Sequence, residues 1–240
     1  MNFIENFRKM FIPKEFFSLG LKIEDFNLSY ILPRKDIINL IKLKKNPEKI
    51  LDVGCSIGTL GIEIRKIYKN AEITGIEYDS SMAQVAKNFL DNVIIGNVEE
   101  IDLFKYFKEE YFDVIIFADI LEHLKDPWSV LKNFSKLLKD DGIIIASLPN
   151  VRHYSVIFSL VFLNYWPYRK RGINDKTHLR FFTSRNIKNM FDEAGIKIIK
   201  MKRKYRIIES PNPLNIFSRM FFFPGLEDFI TYQFLVVGRK

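Results

Sequence analysis

Short β-branched runs alternate with longer stretches of helical period along most of this chain. A parallel sheet joined by crossover helices is the architecture that satisfies such a rhythm. The pattern predicts strands at "KILDVG" (49–54), "EITGIE" (72–77), "NVIIG" (92–96), "FDVIIFAD" (112–119), "GIIIASLP" (142–149), "IKIIKMKRK" (196–204) and "YQFLVVGRK" (232–240). Helices are predicted over 58–69, 80–90, 127–140 and 183–195, where apolar residues recur three and four apart. Thr183 or Ser184 suits the N-cap of the last helix, and Gly195 its left-handed C-terminal position. The expected fold class is α/β, a Rossmann-like sheet with flanking helices.

The stretches outside this framework set the expected organisation. Residues 1–48 form an N-terminal helical cover, in which "FIENFRKMF" puts Phe3, Phe7, Met10 and Phe11 on one helical face. That face packs on the sheet edge, covers a ligand or makes a dimer contact, so monomer and homodimer both stay open. "YILPRKDIINLI" (30–41) is the helix before the first strand. Residues 49–240 are the ligand-binding domain, with an insertion at about 150–182.

Composition narrows the function classes. A chain of 240 residues with 48% hydrophobic content suffices for one well-buried domain. The single cysteine, Cys55, excludes an internal disulfide framework and, with no N-terminal signal pattern, predicts a cytoplasmic location. The net charge of +8 is spread along the chain beside acidic residues, which argues against a nucleic-acid footprint. "SVIFSLVFLNYWPY" (155–168) is too short, and too interrupted by Asn164 and Pro167, to cross a bilayer. With 23 phenylalanines in the chain, "IFSRMFFFPG" (216–225) leaves peripheral membrane contact open.

The turn "LDVGCSIGTLG" (51–61) carries the first functional signal. A strand enters it, a helix leaves it, and glycines at 54 and 58 permit a tight bend with a ligand close to the backbone. Glu77, 23 residues after Gly54, ends the second strand in "GIEYD", where a carboxylate accepts both hydroxyl protons of a ribose. A pyrophosphate would favour glycine at 56. Ser56 instead leaves room and a hydroxyl for a zwitterionic amino-acid tail, whose ammonium finds acceptors in Asp52 and the carbonyls near Gly54. Asn97, Val98 and Glu99 follow the third strand where an adenine would be met, and Asp119 and His123 follow the fourth, over the same crevice.

In this order and spacing, "LDVGCSIG", the acidic end of "GIEYD", "FDVIIFADILEHLKDP" and "LLKDDGIIIASLPN" resemble the class I S-adenosylmethionine-dependent methyltransferases, over about Ile50 to Lys240. The resemblance implies a seven-stranded, mostly parallel sheet with an antiparallel last strand and S-adenosylmethionine as cofactor. It sets Asp52, Gly54, Cys55 and Gly58 along the methionine part, Glu77 at the ribose and Asn97 with Val98 at the adenine, and adds Tyr78 to the cofactor-binding residues. "PNVRHYSV" and "WPYRKRGINDKTHLRFFTSRNIKNMFDEAGI" resemble, more narrowly, the subgroup associated with glycan and surface-polysaccharide assembly. In that subgroup the two stretches wall the acceptor, and 156–168 would be a lid over it.

A sulfonium is an activated electrophile, so the protein must align the acceptor in line and, for a hydroxyl, remove a proton. The chain has three histidines, His123, His153 and His178. His178 is the first candidate base, with Asp175 as its orienting carboxylate, and His153 is the second. Arg180 and Tyr154 are expected on the acceptor. No group of His, Cys, Asp and Glu shows metal-ligand spacing, so no metal is expected. The expected reaction is methyl transfer to an oxygen of a sugar or glycan-like small acceptor. A quinone or lipid precursor, an amino sugar, and a cofactor-binding subunit without turnover are the alternatives.

Overall fold

The computed structural model describes residues 12–18, 32–208, 212–221 and 225–240. The elements in chain order are α1 (Lys14–Ser18), α2 (Lys35–Ile41), β1 (Lys49–Val53), α3 (Thr59–Ile67), β2 (Glu72–Glu77), α4 (Ser80–Ala86), β3 (Asn92–Ile95), β4 (Phe112–Ala118), α5 (Pro127–Leu137), β5 (Leu138–Pro149), α6 (Tyr154–Phe162), α7 (Ser184–Glu193), β6 (Lys197–Tyr205), α8 (Glu227–Ile230) and β7 (Thr231–Arg239). The seven strands form one sheet in the order β3-β2-β1-β4-β5-β7-β6. β1 with β2 and β2 with β3 are parallel, while β7 runs antiparallel to β6. The α/β sheet expected from the alternation is therefore present, with its antiparallel last strand.

Internal contacts divide the chain into two compact units. The first holds 1–116 and 137–143, the second 117–136 and 144–240. In the first, Ile50, Leu51, Val53, Ile73 and Ile76 of β1 and β2 are fully buried, as runs of β-branched residues covered on both faces should be. Ile64 of α3 and Ala83 and Ala86 of α4 are buried in the same unit. An added Cβ at Gly75 would stand 2.4 Å from Cys55 Sγ and 2.7 Å from Leu90 Cδ1, so β2 can carry only glycine at that level without a shift. In the second unit, Phe117 and Phe134 meet edge to face at 5.3 Å, and Ile187, Met190 and Phe191 bury the inner face of α7.

Local chemistry explains the element ends. Thr183 caps α7 through a reciprocal capping box with Asn186, and Gly195 follows with φ 73°. Asp79 caps α4 by accepting from the amides of Ser81 and Met82. The helix predicted over 127–140 stops at Leu137, and β5 begins at Leu138. The chain extends there because Lys139 reaches Asp113 at 2.9 Å and Leu138 packs where a Cβ on Gly142 would stand, 2.8 Å from Leu138 Cδ1. The helix predicted from Tyr30 is observed as Lys35–Ile41. Phe3, Phe7, Met10 and Phe11 lie outside the described residues.

Candidate active site

In the first unit the functional residues stand at the carboxyl ends of β1, β2 and β3. After Val53 the backbone enters the left-handed region at Gly54 (φ 73°), Ser56 (φ 51°) and Gly58 (φ 83°). The amides of Gly54 and Cys55 both donate to the carbonyl of Ile76, at 2.8 and 3.1 Å, which ties the turn to β2. The amide at the left-handed Ser56 is put to use. Ser56 N–H donates to Glu77 Oε2 at 2.8 Å, and Asp79 N–H donates to Glu77 Oε1 at 2.9 Å. Two backbone donors thus fix the Glu77 carboxylate. The Ser56 hydroxyl points to Met82 Sδ, 3.6 Å away.

Asp52 is buried under this turn. Burial, with the Glu77 charge adding and Arg34 opposing, pushes its carboxyl up to about 7. A buried carboxylate that resists its own charge is matched to a cation such as a ligand ammonium. Burial likewise pushes the Cys55 thiol up, with the charges of Asp52 and Glu77 adding to it, so that side chain packs and stays a thiol. Gly58 serves helix packing, since an added Cβ would meet Ala86 Cα at 3.3 Å. At β3, the amide of Gly96 donates to the carbonyl of Glu77 at 2.9 Å. Asn97 folds the next turn, accepting from Glu99 N at 3.1 Å and donating to Glu100 Oε1 at 2.9 Å. Val98 is half-buried and Tyr78 exposed. The residues predicted for ribose and methionine are thus together, and a buried acid, an oriented carboxylate and a left-handed turn fit S-adenosylmethionine.

Asp119 and His123, predicted for the same ligand, belong to the second unit. Asp119 has φ 61° and is held by Ser147 Oγ, which donates at 2.8 Å, and by the amide of Gln233 on β7. His123 ends a short turn, Leu121–His123, and its ring meets the His178 ring edge to face at 4.7 Å. His178 Nδ1 donates to the carbonyl of Ile173 at 3.0 Å, and His123 Nδ1 lies 3.3 Å from the carbonyl of Thr177. Both imidazoles therefore present Nε2. His178 Nε2 is 4.0 Å from Oε1 of Glu122, a buried carboxylate. Burial and the neighbouring His123 charge lower the affinity of His178 for a proton, against the opposing pull of Ile173 and Asp175.

Asp175, the expected orienting carboxylate of His178, bonds the intervening Thr177. Its Oδ1 accepts from the amide (2.9 Å) and hydroxyl (2.7 Å) of Thr177, whose Oγ1 lies 3.2 Å from His123 Nδ1. Against the opposing effect of burial, these Thr177 donors hold the Asp175 carboxyl below the usual range. Glu122 escaped the sequence reading, although "LEH" sets an acid beside a histidine. Nor did spacing expose the group Glu122, His123 and His178, because 55 positions separate the two histidines. One ligand atom from each lies within 4.8 Å of the others, close enough for the three to converge on a cation.

The remaining acceptor-side candidates are held by hydrogen bonds within the protein. His153 is fully buried and caps α6, with Nδ1 2.8 Å from Ser155 Oγ and Nε2 donating to the carbonyl of Arg206 at 2.8 Å. Both of its nitrogens are therefore engaged. Tyr154 donates its hydroxyl to the carbonyl of Ile207, and Arg180 donates to the carbonyls of Leu179 and Lys125. The amides of Leu179 and Arg180 both donate to the carbonyl of Glu122, so "THLRF" is stitched to "LEH".

A family model described as a methyltransferase domain matches residues 30–201. A ubiquinone biosynthesis O-methyltransferase of Coxiella burnetii is 26% identical over 173 residues, covering 68% of this chain and 72% of its own. An (S)-coclaurine N-methyltransferase of Papaver somniferum is 28% identical over 104 residues, covering 42% and 30%. Among solved structures, a SAM-dependent methyltransferase from Archaeoglobus fulgidus shares the fold with a TM-score of 0.62 at 15% identity, covering 100% of both chains. With the glycine turn, Asp52 and Glu77 in place under that match, the chain belongs to the methyltransferase-domain family and is an S-adenosylmethionine-dependent methyltransferase.

Proposed function

We propose that the enzyme methylates a hydroxyl oxygen of a small polar acceptor, sugar or glycan-like, with His178 receiving the hydroxyl proton. Bound S-adenosylmethionine supplies an electrophilic methyl group, and the rest falls to the protein. Asp52 binds the ammonium of the cofactor, Glu77 its ribose hydroxyls, and Asn97 with Val98 flank the adenine. A hydroxyl attacks the methyl carbon only as its proton leaves, and the second unit holds a base suited to that step. The observation that carries the reading is the Glu122–His123–His178 group, in which Nδ1 of His178 is committed to Ile173 and Nε2 keeps its lone pair. Asp175 and Thr177 set the orientation of the neighbouring His123 ring.

Arg180 is the residue for an acidic group on the acceptor. The quinol alternative has one observation in its favour, the ubiquinone O-methyltransferase of Coxiella burnetii at 26% identity. The test is release of S-adenosylhomocysteine over matched panels of sugars, nucleotide sugars, quinols and amino sugars. Turnover confined to the sugar hydroxyls is the expected result. Turnover confined to quinols or to amines overturns the acceptor, and none with any acceptor favours a binding subunit.

A further inference from the structure

We infer that the outer face of α6, with the chain that follows it, docks on an anionic lipid surface. α6 is built inside out. It buries Val156 and Ser159 and turns Phe158, Leu160, Val161 and Phe162 to solvent, with Val161 67% and Phe162 72% exposed. A helix that served only the core would bury that stripe. Ser159 then folds the chain back, its hydroxyl donating to the carbonyl of Tyr165 at 2.7 Å and its carbonyl accepting from the Tyr165 amide at 3.1 Å. Leu163, Tyr165 and Tyr168 are exposed along that return, and exposed Arg169, Lys170 and Arg171 follow at once.

A second apolar element is fastened to the stretch of chain that also holds the start of α6. Tyr154, at the start of α6, bonds the carbonyl of Ile207. Asn215 accepts from the amides of Ile207 and Ile208, both at 2.9 Å, and so anchors the turn Pro213–Phe221 at the same place. That turn exposes Leu214, Ile216 and Phe217. Neighbouring β6 ends in "KMKRKY", and no acidic residue occurs in 154–172, 197–208 or 212–221. Surface of this kind, large apolar and aromatic side chains beside clustered lysine and arginine, matches acyl chains beneath anionic headgroups. A protein partner of that chemistry would have to offer an apolar and acidic face together. Among the described residues no helix is long and apolar enough to cross a membrane, so the contact is peripheral.

The test is vesicle flotation of the full chain with phosphatidylglycerol–phosphatidylcholine vesicles and with phosphatidylcholine alone. Binding to the anionic vesicles, weakened by salt, is expected. Val161→Glu/Phe162→Glu should weaken it at least tenfold, and Lys170→Glu/Arg171→Glu by roughly fivefold or more per residue. S-adenosylmethionine titration keeps folding separate, because each variant should bind the cofactor like the wild type. Three results overturn the inference: no binding to vesicles of any composition; undiminished binding by Val161→Glu/Phe162→Glu; or self-association, by light scattering, that this variant abolishes, which would make the face an interface between copies. Vesicle binding is independent of acceptor chemistry, so failure of the acceptor panel leaves this result standing, and the reverse.

Discussion

The two units solve the problem of holding polar groups in opposite ways. In the first, the site is backbone: the Gly54–Gly58 turn and the amides of Ser56 and Asp79 hold Glu77. In the second, side chains from distant positions converge, with His123 and His178 meeting ring to ring and Glu122 4.0 Å from His178. A backbone site tolerates changes of side chain at most of its positions, whereas a side-chain site is lost with one residue. In the function proposed above, cofactor recognition sits on the first kind and proton handling on the second.

The sharpest way to break that comparison is His178→Ala. Turnover should fall by at least about a hundredfold, the usual worth of a positioned base, while cofactor affinity stays level. Normal turnover would move the base elsewhere. A second probe concerns the group as a whole. Because Glu122, His123 and His178 offer ligand atoms within 4.8 Å, chelation separates a histidine base from a bound cation. EDTA should leave the rate unchanged, and loss restored by a divalent metal would hand the role to a cation.

In the first unit the expected effects are smaller and fall on stability and binding. Gly75→Ala forces a Cβ to within 2.4 Å of Cys55 Sγ and should cost about 1–3 kcal/mol in denaturant unfolding. The carboxyl of Asp52 is pushed up to about 7 in the free protein, so it is largely protonated below that pH and ionises as pH rises through it. An ammonium ligand pairs with the ionised form. Affinity should therefore rise from pH 6 to pH 8, and binding near pH 6 should release protons, read by calorimetry in buffers of different ionisation enthalpy. Asp52→Asn should flatten both trends. Smallest of all, Ser56→Gly removes a side chain from a left-handed position and keeps the amide that holds Glu77. Stability should change by no more than about 1 kcal/mol, with unaltered affinity, whereas a large loss would give the hydroxyl a role of its own.

The same contrast explains what the sequence made legible. Gly54, Gly58 and Glu77 were readable because a strand, a turn and a strand end lie within one short segment, where spacing fixes geometry. The Thr183 cap and Gly195 were readable for the same reason. Glu122 was missed because a carboxylate becomes informative only when burial sets it against His178, 56 positions away. Three-residue spacing points Asp175 to His178, and only the fold adds the contact that Thr177 carries to His123. His153 looked available in sequence, and only the fold reveals that capping α6 and bonding Arg206 consume both nitrogens.

Calorimetric titration of S-adenosylmethionine into Glu77→Ala and His178→Ala, side by side with the wild type, tests the division of labour most directly. Binding should be at least tenfold weaker for Glu77→Ala, which removes the carboxylate proposed to meet the ribose hydroxyls, and of wild-type affinity for His178→Ala. Unchanged affinity in Glu77→Ala, or an equal loss in both variants, would contradict it.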